Sequence, residues 1–235
     1  MIEASALASG VRTAARPPTF GHVKATRDDW LDRALRVLAI EGVDRVTILN
    51  LSARLGVSRS SFYWYFKNRD ELLDALLARW EGLNTRSIAM QAKAPAATIN
   101  EAVCNVFRCW INPEIFSPRL DFAVREWARR SPRVRSALDR SDNDRTIAIK
   151  AMFERFGYRG EDALVRARVL YYLQIGYYAL DIREPIEARL ALTPLYLEAI
   201  TGVAPDESEM ASFRAYAEKA PRGDGFDLPI IPGGG

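Results

Sequence analysis

The residues best suited to chemistry lie between Ser58 and Asn68. They are Arg59, Ser60, Ser61, Tyr63, Trp64, Tyr65 and Lys67, with no acid among them. A guanidinium pairs bidentately with guanine edges. Serine and tyrosine hydroxyls reach phosphates or bases, and a lysine ammonium suits a phosphate. This set holds a polyanion; it does not break covalent bonds. The competing reading is a solvated helix face, with any one aromatic turned into a core. Three consecutive aromatics, Tyr63, Trp64 and Tyr65, cannot all point inward on a short helix.

Such a set needs a scaffold that lays it in a DNA groove. In a helix-turn-helix the first helix braces across the duplex backbone and the second enters the major groove. Close crossing calls for small residues, here Ser52 and Ala53, and the turn calls for a glycine, here Gly56. Leu51, Leu55, Val57 and Phe62 supply apolar anchors, and Phe66 closes the core beneath. Thr47 caps the first of the two helices and Ser58 the second. Upstream, Thr26 and Asp29 have capping-box spacing. Trp30, Leu31, Ala34, Leu35 and Leu38 form one apolar stripe that ends at Gly42. Downstream, Asn68 and Glu71 cap a long helix that continues to about Lys93, before Pro95.

Bulk composition agrees with a polyanion partner only weakly. The net charge is +3 and hydrophobic residues make up 49% of the 235. All of the +3 excess resides in residues 1–80. Hydrolytic triads and zinc sites need histidines or clustered thiolates, and the one histidine, His22, falls near the N-terminus. No Gly-x-Ser-x-Gly, phosphate-cradling glycine loop or paired-cysteine metal spacing is present. The expectation is therefore no catalysis, no cofactor and no metal. Cys104 and Cys109 point roughly 140° apart on a helix, which argues against a disulfide. With no secretory segment, reduced thiols and a cytoplasmic location follow. The most apolar run, Val169 to Leu180, is interrupted by Gln174 and too short to span a bilayer, so no membrane association is expected.

Everything after Pro95 reads as helix. Segments near 97–110, 118–130, 133–156, 160–182, 185–201 and 206–219 are separated by proline and glycine punctuation. No alternating strand pattern of any length appears. The fold class is thus all-α, with the division 1–25 leader, 26–84 DNA-binding domain, 85–220 larger helical domain and 221–235 tail rich in proline and glycine. Arg12, Arg16, Lys24 and Arg27 could trail along phosphates, or the leader could be an unstructured end with incidental charge.

The segment 26–80 resembles the DNA-binding domain of the TetR family of bacterial transcription regulators. Thr47, Leu51-Ser52, Gly56-Val57-Ser58, Tyr63-Trp64-Tyr65-Phe66 and Arg69-Asp-Glu-Leu72 follow that family's pattern. Tyr65 stands where a histidine is common, Ser52 and Leu55 where alanine is, and Arg69 where lysine is. The resemblance implies that Thr47 contacts phosphate while capping its helix. It places Arg59, Ser60 and Ser61 where bases are read, Tyr63 and Tyr65 on backbone or base, and Lys67 on a phosphate. It also implies an effector-binding and dimerisation domain after the reader.

One reader helix buries too little surface for a tight specific site. Two-fold dimers on palindromic DNA solve this by reading half-sites about 34–36 Å apart. Residues 163–182 are apolar almost all round, and 186–200 repeat that character, so both must be covered on every side. The expected homodimer contact is therefore 160–201, with Pro194 kinking the second helix. Pocket walls for a small, largely apolar effector are sought among Phe107, Trp110, Trp127, Tyr171, Gln174 and Tyr177. Phe116, Phe122, Phe153 and Tyr172 are further aromatics, and Asn105, Arg125 and Glu126 further polar anchors. Plain core packing competes at each of them. Arg125, Arg129, Arg130, Arg133 and Arg135 read as a solvated basic cluster rather than an acidic-ligand site. The functional expectation is a ligand-responsive regulator, a repressor by analogy. Its alternative is a helical ligand-binding or interaction protein with a degenerate reader.

Overall fold

The computed structural model describes residues 25–221; the leader and most of the tail named above lie outside them. The described chain is helical, without strands. In order come α1 (Arg27–Glu41), α2 (Ile48–Leu55), a 3₁₀ helix (Arg59–Trp64), α3 (Arg69–Trp80), a π turn (Glu81–Thr85) and α4 (Arg86–Lys93). Then follow α5 (Ile99–Ile111), α6 (Pro118–Ala128), α7 (Pro132–Arg155), α8 (Gly160–Ala179), α9 (Ile186–Thr201) and α10 (Glu207–Lys219).

Capping residues set these starts. Thr26 and Asp29 exchange hydrogen bonds in a capping box, as do Asp206 and Glu209 at α10. Thr47, Asn68, Thr98, Ser117 and Ser131 each accept a first-turn amide. Gly56 ends α2 at φ 67°, a left-handed conformation that glycine adopts without strain. A Cβ there would meet nothing within 4 Å, so the requirement is conformational rather than steric.

Two apolar clusters hold the chain together. One joins α1, α2, the 3₁₀ helix and α3 to α6 and the start of α7, through Leu120, Val124, Trp127 and Val134. The other gathers α4, α5, the second half of α7, α8, α9 and α10. The core beneath the reader thus extends well past residue 84, into helices far along the chain. The long helix expected over 68–93 is present but carries the π turn in its middle. There the Arg86 amide donates to the Glu81 carbonyl, five residues back.

Candidate nucleic-acid interface and its link to the helical core

The reader stands on aromatic packing. Phe62 meets Trp30 edge-on at 5.2 Å and stacks on Phe66 at 5.3 Å. All three rings are buried. The Arg27 guanidinium lies 5.1 Å above Phe66. Arg69 ties the reader from below, donating to the Val46 and Val43 carbonyls at 2.6 and 2.7 Å. This gives the arginine a second donor arm where the family pattern has lysine, a role the sequence pattern does not assign.

On the outside, Arg59, Ser60 and Lys67 are exposed. Tyr63 is 59% and Trp64 67% exposed, unusual for rings of that size in water. Thr47 is half-buried and its Oγ1 accepts from the Asn50 amide. One expected contact residue is turned inward and another is partly covered. Ser61 is buried and donates its hydroxyl to the Ser58 carbonyl at 2.7 Å, closing the tight turn. Tyr65 is half-buried against the reader core.

The second reader helix also corrects two expectations. It is a 3₁₀ helix of six residues, and Ser58 does not cap it with its side chain. The Ser58 hydroxyl pairs with Ser60 instead, at 2.8 Å. With i→i+3 bonding, Ser61 comes back over Ser58 and takes the carbonyl that a longer α-helix would use. Ala53, expected at the helix crossing, is exposed, while Ser52 is buried and bonds back to Leu49.

Behind the reader, the α3–α4 helix is pinned by a buried charge knot. Asp121 on α6 is fully buried. It accepts from Trp80 Nε1 at 2.9 Å, Asn84 Nδ2 at 3.3 Å, Arg125 Nε at 3.1 Å and Arg145 Nη2 at 2.9 Å. Arg145, also fully buried, reaches Thr85 Oγ1 at 3.1 Å and the Tyr171 hydroxyl at 2.9 Å. Arg125 grips Asp142 with both terminal nitrogens, at 2.9 and 2.7 Å, and Tyr171 donates to Asp142 at 2.6 Å. Burial pushes the Asp121 carboxyl up, but Arg145 and then Arg125 more than reverse this, holding it at about 2. Arg125 therefore does not belong to a solvated basic patch. Arg129, Arg130, Arg133 and Arg135 do lie at the surface, each beside a carboxylate.

A cavity of about 1140 Å³ opens beside this knot. Its walls come from the end of α1 and the turn after it, the end of α5, α6, and the α8–α9 connection. Trp110, Trp127 and Tyr177 line it, as do Phe116, Phe122 and Glu126. Phe107, Tyr171 and Gln174 lie elsewhere. Phe107 packs on Trp110 and Phe213, Tyr171 belongs to the charge knot, and Gln174 is buried with its Nε2 unpartnered. Asn105 bonds the Pro95 carbonyl. Both cysteines are buried and unbridged, and burial pushes each thiol up to about 12. Among the described residues no cluster of His, Cys, Asp or Glu has the arrangement of a metal site. No described helix is long and apolar enough to cross a membrane.

A short helix-turn-helix on a larger helical body is the architecture of a DNA-binding regulator. Residues 31–76 match the model of bacterial regulatory proteins of the tetR family. Its N-terminal domain is thus of the TetR type. It is similar to an uncharacterized HTH-type transcriptional regulator, TtgW, of Pseudomonas putida. That match is 37% identical over 60 residues, 26% of this chain and 45% of the relative. BetI, an HTH-type transcriptional regulator of Rhizobium meliloti, is 31% identical over 127 residues, 52% of this chain and 61% of BetI. The matches thus span less than half of TtgW and about three fifths of BetI. Over the whole fold the chain resembles the crystal structure of Mycobacterium smegmatis AmtR. The TM-score is 0.56 at 17% identity, over 86% of this chain and 98% of AmtR.

Proposed function

We propose that the chain is a ligand-responsive transcriptional repressor that binds a palindromic DNA operator as a homodimer and is released by a small, largely apolar effector. The observation that carries this reading is the solvent-facing set Arg59, Ser60, Tyr63, Trp64 and Lys67 on a turn braced from within by Trp30, Phe62 and Phe66. Thr47 and Tyr65 flank the set and contact backbone, and Ser61 shapes the turn. Charged and hydroxyl groups there meet phosphates and base edges.

The dimer reading is supported by α8 and α9. Val165, Val169, Tyr172, Leu173, Leu192, Leu195 and Tyr196 are large apolar side chains left in water on these two helices. Val165, Val169, Tyr172 and Leu173 share one face of α8 by their spacing; large exposed apolar surface marks a protein contact, and a second copy covers it. An effector acts only through its differential affinity for two arrangements of the dimer. The α3–α4 helix joins reader to core, so a tilt there changes the spacing of the paired readers.

Mobility shift on the DNA upstream of the chain's own coding sequence tests the proposal. The expected result is a shift lost in Arg59→Ala and Tyr63→Ala. No shift at low salt would instead favour a helical binding protein with a degenerate reader.

A further inference from the structure

We propose that the cavity between the reader and the helical core binds an amphipathic organic anion, its apolar body against the aromatic walls and its acidic group on Arg189. This deepens the ligand-responsive reading and rests on it for its regulatory meaning.

The walls fix the apolar half. Trp110, Phe116, Phe122, Trp127, Tyr177 and Tyr178 surround a space of about 1140 Å³. Ligand pockets commonly hold roughly 300–1,000 Å³, so a fused-ring or long-chain body fits.

The charges fix the other half. Every carboxylate lining the cavity is already engaged. Glu41 pairs with Arg54 and Arg45, Asp44 with Arg130, Glu126 with Arg129 and Asp181 with Arg183. Glu184 accepts the Tyr177 hydroxyl at 2.5 Å. Arg189 is different. It is half-buried, its guanidinium lies 4.8 Å above the Tyr177 ring, and among the described residues it forms no ion pair. It sits in the first turn of α9, whose N-cap, Pro185, supplies no side-chain acceptor for the opening amides. A cation beside an uncapped helix start favours an anion. Four of the five lining acids are paired with arginines and Glu184 is held by the Tyr177 hydroxyl, which leaves Arg189 as the lining cation to receive an acidic group.

The site has a consequence for the reader. Leu38, Ala39 and the Glu41–Asp44 turn form one wall, so a ligand touches the DNA-binding domain directly. Such a ligand discriminates between positions of the reader relative to α6.

The test uses the full chain and two matched probes, anilinonaphthalene sulfonate and the neutral N-phenylnaphthylamine, which share the aromatic body. Binding is followed by probe emission and by quenching of Trp110 and Trp127 fluorescence. The sulfonate is expected to bind at one site per chain, at least about tenfold more tightly than the neutral probe. Arg189→Gln should remove that difference and leave the neutral probe unchanged, while Arg189→Lys should keep most of it. Ala39→Trp, which fills the cleft from the reader side, should weaken both probes. Equal affinity for the two probes, or indifference to Arg189→Gln, overturns the anion site. Indifference to Ala39→Trp overturns the junction location. Mobility shift without any probe is read separately. Arg189-dependent binding by a chain that shifts no DNA would sustain the cleft and remove the regulator reading.

Discussion

The reader and the junction behind it are both held by buried groups, but by opposite chemistries. Under the reader, Trp30, Phe62 and Phe66 pack as apolar rings. At the junction, Asp121, Arg145, Arg125 and Asp142 form a neutral set of two acids and two guanidiniums, satisfied by Trp80, Asn84, Thr85 and Tyr171. Apolar contacts accept many small displacements at little cost. A buried charge left unmatched costs several kcal/mol. The reader's interior therefore needs only the right volume, whereas the junction requires one specific register of the α3–α4 helix against α6 and α7.

Breaking the junction should give the largest effect. Asp121→Ala removes the close carboxylate partner of buried Arg145 and one of the two partners of Arg125, and is expected to cost about 3–5 kcal/mol in denaturant unfolding. Replacing the pair together, Asp121→Leu with Arg145→Met, should recover most of that stability. If the double variant is as damaged as the single one, the knot is not acting as a charge pair. Phe62→Ala removes a whole ring from the reader core, and a loss of about 3–5 kcal/mol is expected there too. The contrast sharpens on conservative change. Phe62→Leu should cost much less, whereas Asp121→Asn should still cost about 2 kcal/mol or more, because neutralising the acid leaves buried Arg145 only the longer pair with Asp142, at 3.7 Å.

Acid titration separates the regions further. Asp121 has a folded pKa of about 2, below its ordinary 3.8. A depressed carboxylate contributes stability that is complete above its unfolded pKa and is lost as pH falls through the folded one. The window is therefore about pH 4 down to pH 2, and the contribution is of order 2 kcal/mol. Unfolding of wild type should weaken across that window more steeply than Asp121→Asn, while Phe62→Leu should follow the wild-type slope.

The smallest effects belong to the outer face of the reader and appear in DNA binding alone. Arg59→Ala should weaken specific binding by about 1–3 kcal/mol and relax base preference at one position. Lys67→Ala should weaken binding to all sequences similarly and lower the salt slope by about 1. A change in unfolding free energy beyond roughly 0.5 kcal/mol for either would mean that these side chains also support the fold.

The contrast also explains what is readable in the sequence. The reader's signals are local: Thr47, Gly56, Ser58 and Asn68 mark its boundaries within a few residues of one another. The helices after Pro95 are legible close to their observed limits because proline, glycine and capping residues punctuate them. The charge knot is not legible in the same way, since its partners come from positions 80, 84, 85, 121, 125, 142, 145 and 171. Arg125 groups by sequence with the surface arginines that follow it, although it faces inward beside Asp121, four residues earlier. One signal is available. Arg145 lies on the buried stripe of α7, seven residues after Leu138 and four before Ile149, where an aliphatic residue would be expected. The short 3₁₀ reader is hidden for another reason. Ser58 and Ser61 have side chains that suit either helix type, and the choice depends on packing by Phe62 and Phe66.

The π turn at Glu81–Thr85 sets the angular phase of the reader. Successive residues of an α-helix advance by about 100° around its axis, and a π turn absorbs one extra residue within that winding. Deleting a single residue within Glu81–Thr85 would therefore restore plain α winding and leave Trp80 nearly in place, whereas deleting one in α4 would turn Trp80 by about 100° relative to the helices that α4 packs against. The helix acts like a shaft with one slip joint: a step taken out there leaves its angle almost alone, and a step taken out elsewhere does not.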